Sequence, residues 1–260
     1  MKYESIDEEP AARPDVDYHF WSAVAVVEVF LFLIVLPLLL VYTIYFHDGF
    51  AWEAHNTYLT IFNVHPLCMV LGFVVLYSQG ALVYRVLRKL PKMVVKLIHA
   101  AIMLSVVVCT VVGLLAVFTL HNDNNIANLY SLHSWMGLTT VILFGCQLLA
   151  GLMIFLLPFP CITHGQREIA KLWHHKLGFM IYILAALTVL SGLQEKAGFG
   201  LGKHNCKVRF ANGTCHIEYA YEDKRPEGIV LNLIGLFVGL SMVGVVAIVT
   251  ETDWRRHSED

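Results

Sequence analysis

Charge is what this sequence lacks. Of its 260 residues only 15% are Asp, Glu, Lys or Arg, against 57% hydrophobic, and mean hydropathy is +0.64. Soluble domains carry roughly a quarter charged residues, so the composition excludes that class and indicates an integral membrane protein. No run of basic residues is present, which excludes a nucleic-acid-binding face. The N-terminal stretch MKYESIDEEPAARPDVD has no basic region followed by a short apolar core. A cleaved signal peptide is therefore not expected, and the first apolar segment is expected to stay in the bilayer. Carboxylates are almost absent from the apolar segments. Glu28 is the exception, a charge inside the first segment with no partner that the sequence identifies.

What is present is six apolar windows of spanning length, at about 20–46, 61–86, 94–119, 131–157, 172–193 and 229–250. A hydrocarbon core of roughly 30 Å takes about 20 helical residues, and a helix satisfies its own backbone in lipid. The expected fold is an all-α integral membrane protein. Residues 20–250 form one six-helix domain, between tails at 1–19 and 251–260. Pro37 is a candidate kink in the first helix.

Lys and Arg set the orientation. The loop after helix two carries Arg85, Arg88, Lys89, Lys92 and Lys96; the loop after helix four carries Arg167, Lys171 and Lys176; the C-terminal tail carries Arg255 and Arg256. Loops 47–60 and 120–130 have neither residue. The positive-inside rule then puts the basic loops and both termini in the cytoplasm. Loop 194–228 falls on the outer side although it holds Lys196, Lys203, Lys207, Arg209, Lys224 and Arg225. It also carries a sequon at Asn212 and two of the six cysteines, Cys206 and Cys215. An oxidising outer compartment would let those two form a disulfide. Cys68, Cys109, Cys146 and Cys161 fall in or at the ends of apolar segments, as small buried hydrophobes.

Helices two to five each begin with a histidine: His65, His99, His133, and His174 or His175. An imidazole in hydrocarbon is costly unless it finds a partner. Helices two and four run the same way, and so do three and five. His65 therefore meets His133 near one membrane face, and His99 meets the helix-five histidine near the other. Two facing histidines suit haem ligated through both axial positions, which favours electron transfer over oxygen binding. Gly72, Gly137 and Gly178, one or two turns past a histidine, would let helices or a flat macrocycle approach closely. The alternative is a non-enzymatic transporter or sensor that uses these histidines for metal or protons. Transport paths usually add carboxylates along the bundle, and the helix interiors here carry almost none.

Several motifs surround these histidines: NVHPLCM (63–69), ALVYR (81–85), KLIH (96–99), VF (117–118), HN (121–122), NLYSLHSW (128–135), FLLP (155–158), GLQEK (192–196) and PEG (226–228). In this combination the chain resembles the cytochrome b561 family, ascorbate-dependent transmembrane oxidoreductases with two b haems in a central four-helix bundle. HNDNNIANLYSLHSW is similar to the duodenal ferric-reductase branch, and HPLCM to the chromaffin-granule branch. The resemblance implies His65–His133 and His99–His174 as axial pairs. His174 is chosen over His175 because it lies four residues before Gly178. It also implies a homodimer, in a plasma, secretory or endolysosomal membrane.

The resemblance places cytoplasmic ascorbate near Lys96, Lys92, Arg85 and Arg167. Ascorbate is a monoanion at neutral pH, so cations there would attract it. On the outer side it favours His121 and Tyr130 for the acceptor site, where Asn122 and Asn128 add neutral donors and acceptors and Phe118 is expected to line the wall. Asn122 to Asn125 also suit a plain turn. The expected function is electron transfer from cytosolic ascorbate through two bis-histidine haems to an outer acceptor, monodehydroascorbate or a ferric chelate.

Overall fold

The computed structural model describes residues 14–52, 58–157, 161–200, 206–209, 215–217 and 225–254. Residues 1–13 of the N-terminal tail, Pro158, Lys203, the sequon at Asn212, Lys224 and Arg255–Arg256 lie outside these residues.

Among the described residues six helices are long and apolar enough to cross a membrane: α1 (Tyr18–Tyr45), α2 (Thr60–Val86), α3 (Lys92–Asp123), α4 (Leu132–Leu156), α5 (His164–Phe199) and α6 (Pro226–Thr250). Helices α2 to α5 pack as a central bundle, and α1 and α6 lie against each other on its flank. The fold is all-α, as expected. The connection from α5 to α6 adds two short antiparallel strands that the sequence reading did not foresee, β1 (Cys206–Arg209) and β2 (Cys215–Ile217). Cys206 pairs in register with Ile217, and Cys215 with Arg209.

Five helices end within a few residues of expectation. The exception is α5, expected over 172–193. A hydropathy window finds only the part in hydrocarbon, whereas α5 continues into water at both ends. Its polar first turns are held by a reciprocal cap: the Thr163 amide donates to Gln166 Oε1 at 2.9 Å, and the Gln166 amide to Thr163 Oγ1 at 3.3 Å. The Thr-x-x-Gln pattern is a capping box and was legible in the sequence. It puts Arg167 on the helix. At the other end Glu195 and Lys196 become helical as well.

Prolines inside helices require compensation, because each removes one N–H and crowds the carbonyl four residues earlier. Pro37 follows a wider π-helical stretch at Val29–Val35, and Pro66 precedes another at Val70–Leu76. Glu28 sits at the start of the first. Gln79, just beyond the second, donates its amide to both carboxylate oxygens, at 2.9 and 3.1 Å. This is the partner that the sequence did not identify.

At the C-terminal end of α1 the chain turns through Asp48 (φ 58°) and Gly49 (φ 76°). The Asn63 side-chain amide is buried and donates to the carbonyls of His47 (2.8 Å) and Gly49 (2.6 Å). That fixes the turn against α2, two residues before His65.

Candidate haem and substrate sites

The four histidines lie in two facing pairs at opposite ends of the bundle. The ring centres of His65 and His133 are 6.2 Å apart, and so are those of His99 and His174. A metal–imidazole bond of about 2.0 Å plus roughly 1.1 Å from nitrogen to ring centre puts two rings sharing one iron about 6 Å apart. Both pairs match this spacing.

Hydrogen bonds choose the nitrogen that would face a metal. His65 Nδ1 donates to the Gly113 carbonyl (3.1 Å), His99 Nδ1 to Gly80 (2.8 Å) and His133 Nδ1 to Thr188 (2.9 Å). A carbonyl only accepts, so each Nδ1 carries the proton and Nε2 keeps its lone pair. Metal-binding histidines are commonly held in this way.

Glycines form the seats of these rings, on the neighbouring helix of each hairpin. A Cβ on Gly192 would come 2.6 Å from Cε1 of His133, and one on Gly151 would come 3.0 Å from Cε1 of His174. Gly113 and Gly80 instead offer their carbonyls to His65 and His99. Helix α2 thus carries a histidine at one end and the seat of α3's histidine at the other, and α3 does the reverse. Helices α4 and α5 repeat the arrangement. Along α2, residues 65 and 80 lie about 22 Å apart at 1.5 Å per residue. Of the glycines expected to admit close approach, Gly72 does so against α3, where its Cβ would meet Cys109 Cβ at 2.9 Å; Gly137 and Gly178 have ordinary room.

Cations cluster at the His99–His174 end. Lys96 Nζ donates to the Phe155 carbonyl at 3.2 Å, and the Phe155 ring lies 5.3 Å from His174. That carbonyl lies in the last turn of α4, where helix carbonyls lack intrahelical partners. Lys92 is seven residues before His99, and Arg167 seven before His174, so each shares a helix face with its histidine. Arg85 is placed differently from expectation. It is buried, and its guanidinium donates to the carbonyls of Val249 (2.5 Å) and Glu251 (2.7 Å), capping the C-terminus of α6. Its neighbour Tyr84 faces the site instead, 5.6 Å from His99. The YR motif held both residues, and the sequence reading favoured the charge over the aromatic.

The His65–His133 end is built from neutral donors. Ser131 caps α4, its hydroxyl accepting from the Ser134 amide at 3.2 Å, which fixes His133 in the first turn. His121 Nδ1 lies 3.0 Å from Asn128 Oδ1, and Asn128 donates on to Asn122 Oδ1 at 3.2 Å. Asn124 and Asn125 make the turn instead: Asn124 bonds the Leu120 carbonyl, and Asn125 has φ 55°. Phe118 and Tyr130 are exposed. Partial burial, then the Glu195 carboxylate to which it hydrogen-bonds, raises the Tyr130 phenol above its ordinary pKa. Glu195 also accepts from Ser131 Oγ at 3.0 Å.

Lys196, which the sequence analysis assigned to the loop, also reaches this end. Its ammonium lies 4.6 Å from the Phe62 ring centre, and Phe62 lies 6.2 Å from His65. A lysine one turn beyond an apolar run, at a helix C-terminus, was the available signal.

A multi-pass helical bundle with facing histidines at both ends has the build of a membrane cytochrome. The sequence profile of eukaryotic cytochrome b561 matches residues 64–200. The chain is 40% identical over 214 residues to the lysosomal membrane ascorbate-dependent ferrireductase of Homo sapiens, covering 82% of this chain and 81% of the relative. The Mus musculus counterpart is 39% identical with the same coverage. The transmembrane ascorbate-dependent reductase of Homo sapiens is 35% identical over 214 residues, covering 82% and 76%. The chain belongs to the eukaryotic cytochrome b561 family, whose cofactor is b-type haem, and is an oxidoreductase.

Proposed function

We propose that this protein couples oxidation of ascorbate at the His99–His174 end to reduction of a ferric complex at the His65–His133 end. The observation that carries the reading is the matched histidine pairs, each 6.2 Å between ring centres, at opposite ends of the same four helices. His65 with His133, and His99 with His174, would each hold one b haem. Haem supplies the one-electron chemistry; the protein supplies placement and docking. The basic loops orient the His99–His174 end, and both termini, toward the cytoplasm.

Lys96, Lys92 and Arg167 attract and orient the ascorbate monoanion, whose single-electron oxidation releases a proton to water. Arg85 serves the end of α6. At the outer end His121, Asn122, Asn128, Tyr130 and Phe118 receive the acceptor, with Lys196 alongside. Relatives named as ferrireductases favour a ferric complex, and the lysosomal name favours an endolysosomal membrane. Monodehydroascorbate is the second acceptor, favoured by the relative named simply as an ascorbate-dependent reductase. We further assign a homodimer, a Cys206–Cys215 disulfide and glycosylation at Asn212, in keeping with an outer α5–α6 connection.

Haem content and electron flow test this together. Pyridine haemochrome should give about two b haems per chain. Proteoliposomes loaded with ferric chelate or monodehydroascorbate, mixed with external ascorbate in stopped flow, should reoxidise faster with the ferric chelate. A colourless stable preparation from haem-replete cells would sink the reading. Faster reoxidation by monodehydroascorbate would reverse the choice of acceptor.

A further inference from the structure

A second basic feature lies away from the site described above. Where α1 meets the turn between α2 and α3, Trp21, Val86, Leu87, Arg88, Lys89 and Leu90 line a pocket of about 340 Å³. Its floor is rigid. The fully buried Phe20 ring stacks edge-on against Trp21 (5.0 Å) and Trp254 (5.6 Å), and the Arg88 guanidinium carbon lies 5.4 Å from its centre. This cation–π contact holds the Arg88 charge at a fixed place. One turn earlier, Arg85 ties α2 to the end of α6. Lys89 is exposed at the rim.

The lining mixes two cations and an indole N–H with an apolar wall. Tyr18 and Trp21 are exposed at the same level of α1, as aromatic residues are at a membrane–water boundary. Below Trp21 the same side of α1 presents Ala25, Val29 and Phe32, all exposed. A small soluble anion would use the cations and leave the wall empty. An amphiphile uses both. Of the ascorbate residues, Lys96 turns away from this pocket, to the Phe155 carbonyl of α4.

We propose that this pocket binds the anionic, phosphate-bearing headgroup of a phospholipid. Its phosphate lies between Arg88 and Lys89, the Trp21 N–H is in reach of its oxygens, and its acyl chains run down the α1 face. Basic pockets at membrane level recognise such headgroups. Only the choice of leaflet, the cytoplasmic one, rests on the orientation proposed above.

The test uses haem-loaded protein in phosphatidylcholine vesicles containing spin-labelled phosphatidylserine or spin-labelled phosphatidylcholine. Wild type should immobilise the anionic lipid preferentially, and R88Q/K89Q should lose roughly tenfold in that preference. Its haem spectrum and KM for ascorbate should not change. K89E, a rim change that leaves the Arg88–Phe20 contact in place, gives a second reading if the double variant folds poorly, and should lose preference in the same direction. Equal retention of both lipids by wild type, or an undiminished preference in K89E, overturns the proposal. Displacement of the labelled lipid by millimolar inorganic phosphate would assign the pocket to a free anion instead. A rise in the ascorbate KM of R88Q/K89Q would assign it to ascorbate. Neither result would touch the haem assignment.

Discussion

The two ends of the bundle hold their histidines alike and surround them differently. Both pairs are 6.2 Å between ring centres, and both rest on glycines of adjacent helices. Around His99 and His174 stand Lys96, Lys92 and Arg167, with carbonyl and aromatic neighbours. Around His65 and His133 stand a His121–Asn128–Asn122 chain, Tyr130 and Glu195, with one cation, Lys196. The shared geometry is what a common cofactor requires. The difference lies one to two turns away, where each end would meet its own reaction partner. Substrate choice can therefore change without disturbing the carrier.

The largest expected effect tests the sameness of the ends. Gly192→Leu and Gly151→Leu should each push a histidine ring off its seat and lower haem content from about two to about one per chain. Gly145→Leu, where a Cβ meets nothing within 4 Å, should leave haem content intact. If the two seat variants kept full haem, the glycine seats would be incidental. Next comes the difference between the ends. Lys96→Ala should raise the KM for ascorbate about tenfold, the scale of one charged hydrogen bond, with haem spectra unchanged. His121→Ala should leave that KM alone and raise the KM for ferric chelate several-fold. A shift of both constants in either variant would mean that the ends are not separate docking surfaces.

Lys196→Met should change outer-acceptor kinetics about threefold without touching the ascorbate end. The smallest kinetic effect is expected at Arg85. Arg85→Gln should cost about 1–3 kcal/mol of stability by stripping the last α6 carbonyls, read as a lowered midpoint of thermal haem loss. Its ascorbate KM should move less than about twofold. A tenfold rise there would return Arg85 to the substrate site.

The sequence made the helices and the histidine pairs legible because hydrocarbon imposes hard rules. Spanning windows are long, and alternate helices run parallel, so pairing followed from topology. The glycine seats were hidden. Gly80, Gly113, Gly151 and Gly192 touch histidines on other helices, and no local pattern encodes a contact across a hairpin. The contacts of Arg85 with α6 were hidden for a similar reason. Its charge suggested an anion, whereas its partners are carbonyls more than 160 positions away in the chain. The ends of α5 were missed for another reason. Hydropathy is silent in water, where the Thr163–Gln166 capping box was the informative signal.

The crossed seating of histidines and glycines has a consequence for assembly. Each hairpin contributes one ring to each end and seats its own rings, so α2–α3 can prearrange half of both sites as soon as it is inserted. Neither site is complete until α5 has followed. Haem capture therefore reports on the whole core at once. A chain truncated before α5 holds His65 and His133 but lacks the Gly192 seat and Thr188 carbonyl that position His133, and it holds His99 without His174. A cofactor held by both pairs would therefore separate finished protein from unfinished protein within the membrane.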